Sequence, residues 1–117
     1  MVEAKFYTDK QGVVRKFDFS GHAGYAEHGL DIVCSASSAI SQTVIGTLDE
    51  LLKKKPDYHI DPQSGRIVCC IPDYYNYGKT EQIVIGALMY SALIGMKQLE
   101  PNYGDYVKVE ELEYLED

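Results

Sequence analysis

The sequence predicts an α+β fold: one domain over residues 1–117, in the order ββαββαβ, with a mostly antiparallel five-stranded sheet and two helices packed on it. Three observations carry this. Apolar and polar residues alternate with period two in several short stretches, apolar residues recur at threes and fours in longer ones, and turn-forming residues separate the strands pairwise. Two helices over one face of the sheet then enclose a single core.

The elements follow in order. Val2, Ala4 and Phe6 alternate with Glu3, Lys5 and Tyr7, and after the turn residues TDKQG a second strand places Val13, Phe17 and Phe19 on one face, making a hairpin. Gly21 ends that strand and a loop passes Gly24 and Gly29. From Asp31 to Lys55 the positions Val33, Ala36, Ile40, Val44, Leu48 and Leu51 form a helical stripe, with Lys53, Lys54 and Lys55 in the last turn and Pro56 beyond. A second hairpin turns at Asp61 to Gly65. PDYYNYGK is a loop, Lys79 to Leu99 a helix apolar on most sides, and Val107 and Val109 belong to a last strand. The second helix has too few polar positions for a surface element, which predicts that another copy of the chain covers its outer side.

Composition bounds the function. With 45% hydrophobic and 25% charged residues the chain has the composition of a folded soluble domain. The longest apolar run, Ile83 to Met96, is interrupted by Gly86, Tyr90, Ser91 and Gly95 and falls short of a membrane span, and no signal peptide is recognisable; the expectation is a cytoplasmic protein with no membrane partner. Three cysteines cannot all pair, so thiols are expected, with neighbouring Cys69 and Cys70 on opposite faces of a strand. The net charge of −7 arises entirely after residue 55, where four Lys or Arg meet eleven Asp or Glu. Such a chain repels phosphate backbones and attracts basic proteins, so direct nucleic-acid binding is not expected.

The chemistry concentrates in residues 21–34, GHAGYAEHGLDIVC. Asp31 is a favoured N-cap residue, and that assignment sets Cys34 in the first helical turn, where the dipole favours thiolate. Amides of that turn, at Cys34 and Ser35, form a cradle for an oxyanion. His22, twelve residues earlier and flanked by glycine, is the candidate base. Residue types alone leave open that Cys34 is a buried filler. Asp31 has two competing roles, capping the helix or orienting His22. Ser38, one turn after Cys34, either bonds near the site or bonds its own helix backbone. His28 is a second base, a substrate contact or a solvated loop residue, and Tyr74, Tyr75 and Tyr77 either line a substrate groove or pack at the sheet edge. The acidic run from Glu110 is either a solvated tail or a hold on a basic substrate.

The segment SGHAGYAEHGLDIVCSASSAISQT closely resembles the stretch that marks the ribosomal-processing cysteine proteases, the Prp family, and the element order and length match across essentially the whole chain. The resemblance rests on Gly21-His22-Ala23 and Asp31-Ile32-Val33-Cys34; Ser35 and Ser37 depart from the small or apolar residues commoner there. It implies that Cys34 is the nucleophile and His22 the base; the chemistry expected of that pair is acyl transfer through a thioester, with His22 as general base and acid and no cofactor or metal needed. The resemblance also implies a substrate, the N-terminal extension of a large-subunit ribosomal protein, and a homodimer. Two rivals remain. His22, His28 and Cys34 would supply three zinc ligands but lack a fourth, and a non-catalytic ribosomal-protein-binding or ribosome-assembly module would bind without cutting.

Overall fold

The computed structural model describes residues 1–21 and 28–115, the side chains of 28–30 excepted. Strand β1, Val2–Thr8, pairs antiparallel with β2, Val14–Ser20, and the Phe6 and Phe17 rings that face each other across the pair join Phe19 in an aromatic cluster with centroids 4.9–6.1 Å apart. The turn between them is built on Asp9, whose Oδ1 accepts the amides of Gln11 and Val13, with Gly12 at φ +86°. Helix α1 (His28–Leu51) follows, then the hairpin β3 (Asp57–Ile60) and β4 (Ile67–Cys70), a 3-10 turn at Tyr74–Asn76, helix α2 (Lys79–Lys97), a short α3 (Glu100–Tyr103) and β5 (Val107–Glu113).

The sheet order is β3-β4-β2-β1-β5, antiparallel throughout except that β5 runs parallel to β1. The expected ββαββαβ order and α+β class therefore hold, with α3 and the 3-10 turn as unforeseen additions. The expected helix from Asp31 to Lys55 is shifted: α1 starts at His28 and stops at Leu51, so the three lysines lie beyond its end. Lys55 Nζ still donates to the Asp49 carbonyl in the last turn, serving the C-terminus from outside the helix, whereas Lys54 pairs with Asp73 ahead of the 3-10 turn. The acidic stretch Glu110 to Glu113 is part of β5 rather than a tail, and Glu111 pairs with Lys97 at 2.7 Å.

A register shift between Tyr7 and Thr8 leaves Arg15 as an extra residue in β2, so that Val14, not Val13, joins the core beside it. Arg15 is fully buried. Its guanidinium donates to the carbonyls of Ile71 and Pro72, pairs with Asp9 at 3.2 Å, and lies over the rings of Tyr74, Tyr75 and Tyr114. The Asp9 carboxyl is pushed up by its burial, but the hydrogen bonds donated by Tyr75, Val13, Arg15 and Gln11 outweigh this and hold it below the usual carboxylate range.

Helix α2 gives Ile85, Met89, Ala92, Leu93 and Met96 to the core. The helical stretch Lys79–Tyr103 is long and apolar enough to match a membrane span by length and composition, with mean hydropathy 1.3, yet one face of it serves as a core helix. Its other face exposes Ile83, Tyr90 and Ile94, 72%, 54% and 38% accessible, which is the apolar outer side that the sequence anticipates.

Candidate active site

Helix α1 and the tip of the β3–β4 hairpin stand apart, and between them lies a cleft of about 250 Å³. Cys34, Ser37, Ser38 and Gln42 form the helix wall. Ile60, Asp61, Pro62 and Gly65 form the hairpin wall, and Val2, Phe19, Ser20 and Ile67 lie across the floor. The helix repeat explains the first set, since residues 34, 38 and 42 are successive turns of one stripe.

Of the three thiols, Cys34 alone lines this cleft. Cys69 is fully buried on the helix side of the sheet, and burial, with the neighbouring Cys70 and Asp57 charges adding to it, pushes its thiol up to about 12. Cys70 is on the opposite face, 3.7 Å from the Tyr114 hydroxyl. The cysteine that the sequence singles out is thus the one with access to a ligand-sized space.

Two expectations about its surroundings need correction. Asp31 is the fourth residue of α1 and not its N-cap, because the helix begins three residues earlier. An acidic residue suits the first turn as well as the cap, so its type could not distinguish the two positions. Cys34 consequently sits in the second turn, roughly 9 Å along the axis from the helix start. Its amide and that of Ser35 belong to the helical ladder, facing the carbonyls of residues 30 and 31, and are not the unpaired first-turn amides the cradle required. The dipole also weakens beyond the first turn, so the helix favours a thiolate at Cys34 less than a first-turn position would.

Ser38 is on the cleft side of the helix, one turn after Cys34. Ser37 and Ser41 bond back to the carbonyls of Val33 and Ser37 at 2.6 and 2.7 Å, whereas Ser38 makes no hydroxyl hydrogen bond among the described residues and lines the cleft. Gly21 has φ +92°, and a Cβ there would lie 2.1 Å from the Met1 carbonyl oxygen. Only glycine lets β2 leave the sheet past the start of β1 at this point. His22 lies outside the described residues, as does the side chain of His28.

The tyrosines are not at this cleft. Tyr74 and Tyr75 sit by Arg15 and Asp9 at the far end of β1, roughly 20 Å from Val2 along the strand. Tyr74 donates to the Gln82 carbonyl and Tyr77 to that of Lys54, so all three fasten the 3-10 turn and the α1 terminus. Their clustering in sequence reflects packing around a buried guanidinium. The residues missed were Gln42 and the hairpin wall, Ile60 to Pro62; helical spacing from Cys34 signalled the first, but nothing local signalled the second. Among the described residues no cluster of three or more His, Cys, Asp or Glu could hold a metal ion.

The chain matches the family model described as cysteine protease Prp over residues 1–108. Ribosomal processing cysteine proteases Prp from Staphylococcus aureus and Bacillus subtilis are 23% and 22% identical to it over 109 residues, covering 93% of this chain and 97% and 96% of theirs. Among solved structures it is similar to SMU.848 from Streptococcus mutans, at 27% identity and a TM-score of 0.81, covering 97% of this chain and 96% of that one. It also shares its fold with an essential ribosomal processing protease Prp from S. aureus in complex with a substrate peptide, at 21% identity and a TM-score of 0.79, covering 95% and 99%. With its fold, its cleft cysteine and a family match over nearly its whole length, the chain belongs to the Prp family of cysteine proteases.

Proposed function

We propose that this protease removes the N-terminal extension of a large-subunit ribosomal protein, with Cys34 as nucleophile and His22 as general base and acid. The observation that carries the reading is that Cys34 lines a cleft whose floor includes Ser20, two residues before His22 in the chain. The Cys34 thiolate attacks the scissile carbonyl, forming the S–C bond of a tetrahedral intermediate. Its collapse breaks the C–N bond while imidazolium gives a proton to the departing amine. Water activated by the imidazole then hydrolyses the thioester and regenerates the thiol.

Because the Cys34 and Ser35 amides are occupied by the helix, the oxyanion needs another donor, and the Ser38 hydroxyl on the next turn fills that role. Asp31, three residues before Cys34 on an exposed part of the same face, orients His22. The chemistry needs no cofactor or metal. The work belongs in the cytoplasm, where ribosomal proteins are made. A homodimer through Ile83, Tyr90 and Ile94 would cover the exposed side of α2, and sedimentation of wild type against an Ile83→Lys, Ile94→Lys variant tests this.

The activity is tested with a synthetic peptide spanning the N-terminal extension of the ribosomal protein, followed by mass spectrometry. Two fragments are expected from wild type and none from Cys34→Ala or from protein alkylated with iodoacetamide. Tight binding without mass loss would instead establish the non-catalytic binding module.

A further inference from the structure

Strand β3 closes one edge of the sheet, and its register shows which of its backbone groups lack a partner. The Asp61 amide donates to the Arg66 carbonyl at 2.9 Å, and the pairing continues Ile60↔Ile67, His59↔Val68, Tyr58↔Cys69 and Asp57↔Cys70. Hydrogen-bonded pairs alternate in an antiparallel ladder, so Asp61, His59 and Asp57 face β4 while the amides and carbonyls of Tyr58 and Ile60 face outward. No described residue meets those four groups. The other edge is treated differently: the outward amide of Val109 in β5 is taken by Glu100 Oε2 at 3.1 Å, with α3 alongside. Among the described residues one edge is plugged by a carboxylate and the other is open.

The open edge adjoins the active-site cleft. Ile60 lines it, and Tyr58, 46% exposed, shares the helix-side face of the strand with Ile60, two residues further along. Asp57 and Asp61 bracket the edge with negative charge, and Pro56 and Pro62 limit it to a few residues. We propose that substrate is captured as an added sixth strand on β3, an extended basic-protein segment whose backbone bonds to Tyr58 and Ile60. Its alternate side chains then enter the cleft beneath the Cys34, Ser38 and Gln42 stripe. This rests on the proteolytic reading above and adds where and how the substrate chain is held.

The register supplies a selective perturbation. Proline at position 58 deletes an outward amide without removing a ladder bond, as edge strands tolerate. Tyr58→Pro is expected to raise KM for the extension peptide about tenfold relative to Tyr58→Ala, the size of one lost backbone bond. The rate at which iodoacetamide alkylates Cys34 stays unchanged. A second arm uses the wild-type enzyme and peptides N-methylated one residue at a time away from the scissile bond. Added-strand binding predicts loss of cleavage at every other position. A flat or aperiodic N-methyl profile, or equal KM for the proline and alanine variants, overturns strand capture while leaving the protease intact. If Tyr58→Pro fails to fold by circular dichroism, the N-methyl profile decides alone. Failure of wild type to cut the unmodified peptide refutes the proteolytic reading itself, and strand capture with it.

Discussion

Gly21→Ala is expected to destabilise the fold by about 4 kcal/mol. At φ +92° an alanine incurs about 1–2 kcal/mol of backbone strain. Its Cβ would also lie 2.1 Å from the Met1 carbonyl oxygen and 3.3 Å from the Val2 Cα, both backbone atoms that no rotamer change can move aside. The least costly relief is to peel the start of β1 from the sheet. That exposes Val2, now 4% accessible, at about 1.5–2 kcal/mol, and breaks its 2.7 Å amide bond to Tyr106, at about 1 kcal/mol. For a chain of 117 residues such a loss lowers Tm by about 16 °C, measured by calorimetry. Gly21→Asn separates the two causes, since asparagine tolerates positive φ but carries the same Cβ; most of the loss should persist. A fall in Tm below about 4 °C for Gly21→Ala would refute the close-packing argument. Because Val2 also floors the cleft, KM for the extension peptide should rise in the same variant.

Ser38→Ala should lower kcat by about 10–100-fold with Tm unchanged, since its hydroxyl supports no described contact; an unaltered kcat removes it as oxyanion donor. Tyr77→Phe deletes the bond to the Lys54 carbonyl and should cost about 1 kcal/mol in urea unfolding while leaving cleavage kinetics as they were. Arg15→Met removes the cation from the half-buried Asp9 carboxylate, together with the bonds to the Ile71 and Pro72 carbonyls, and should cost about 3 kcal/mol, again without a specific effect on kcat. The depressed Asp9 carboxyl contributes stability that is fully present above its unfolded value of 3.8 and is lost as pH falls through the lower folded value. Acid unfolding of Asp9→Asn should therefore show a shallower loss below about pH 4 than wild type.

What the sequence made legible was periodic or carried by a local motif. Alternation located the strands, and the stripe from Val33 to Leu48 located α1, because burial on one face leaves a repeating trace. The helix start was not legible: aspartate is favoured at the cap and throughout the first turn, so Asp31 looked the same in either place. Nor was Arg15, which reads as a surface cation until a register shift turns it inward beneath Tyr74 and Tyr75. The hairpin wall of the cleft depends on β3 being an edge strand, a property of strand order that no short window encodes. The tyrosine cluster left two readings open for a related reason. Aromatic residues around a buried guanidinium and aromatic residues lining a peptide groove look alike in composition, and only the 20 Å scale of the strand between them and Cys34 separates the cases.

The second-turn position of Cys34 redistributes the catalytic burden. A thiol at the helix mouth would draw on the dipole for its charge and on unpaired amides for the oxyanion, leaving the imidazole mainly to shuttle a proton. One turn deeper, both helix contributions shrink, and the proposed mechanism assigns them to side chains, His22 for the thiolate and Ser38 for the oxyanion. The helix still acts by geometry, since spacings of three and four put Asp31, Cys34, Ser38 and Gln42 along one face beside the cleft. The proposed mechanism therefore predicts that removing His22 depresses the rate of Cys34 alkylation at neutral pH, as well as proteolysis, since it assigns upkeep of the nucleophile to the imidazole and not to the dipole. Alkylation of His22→Ala at the wild-type rate would return that role to the helix.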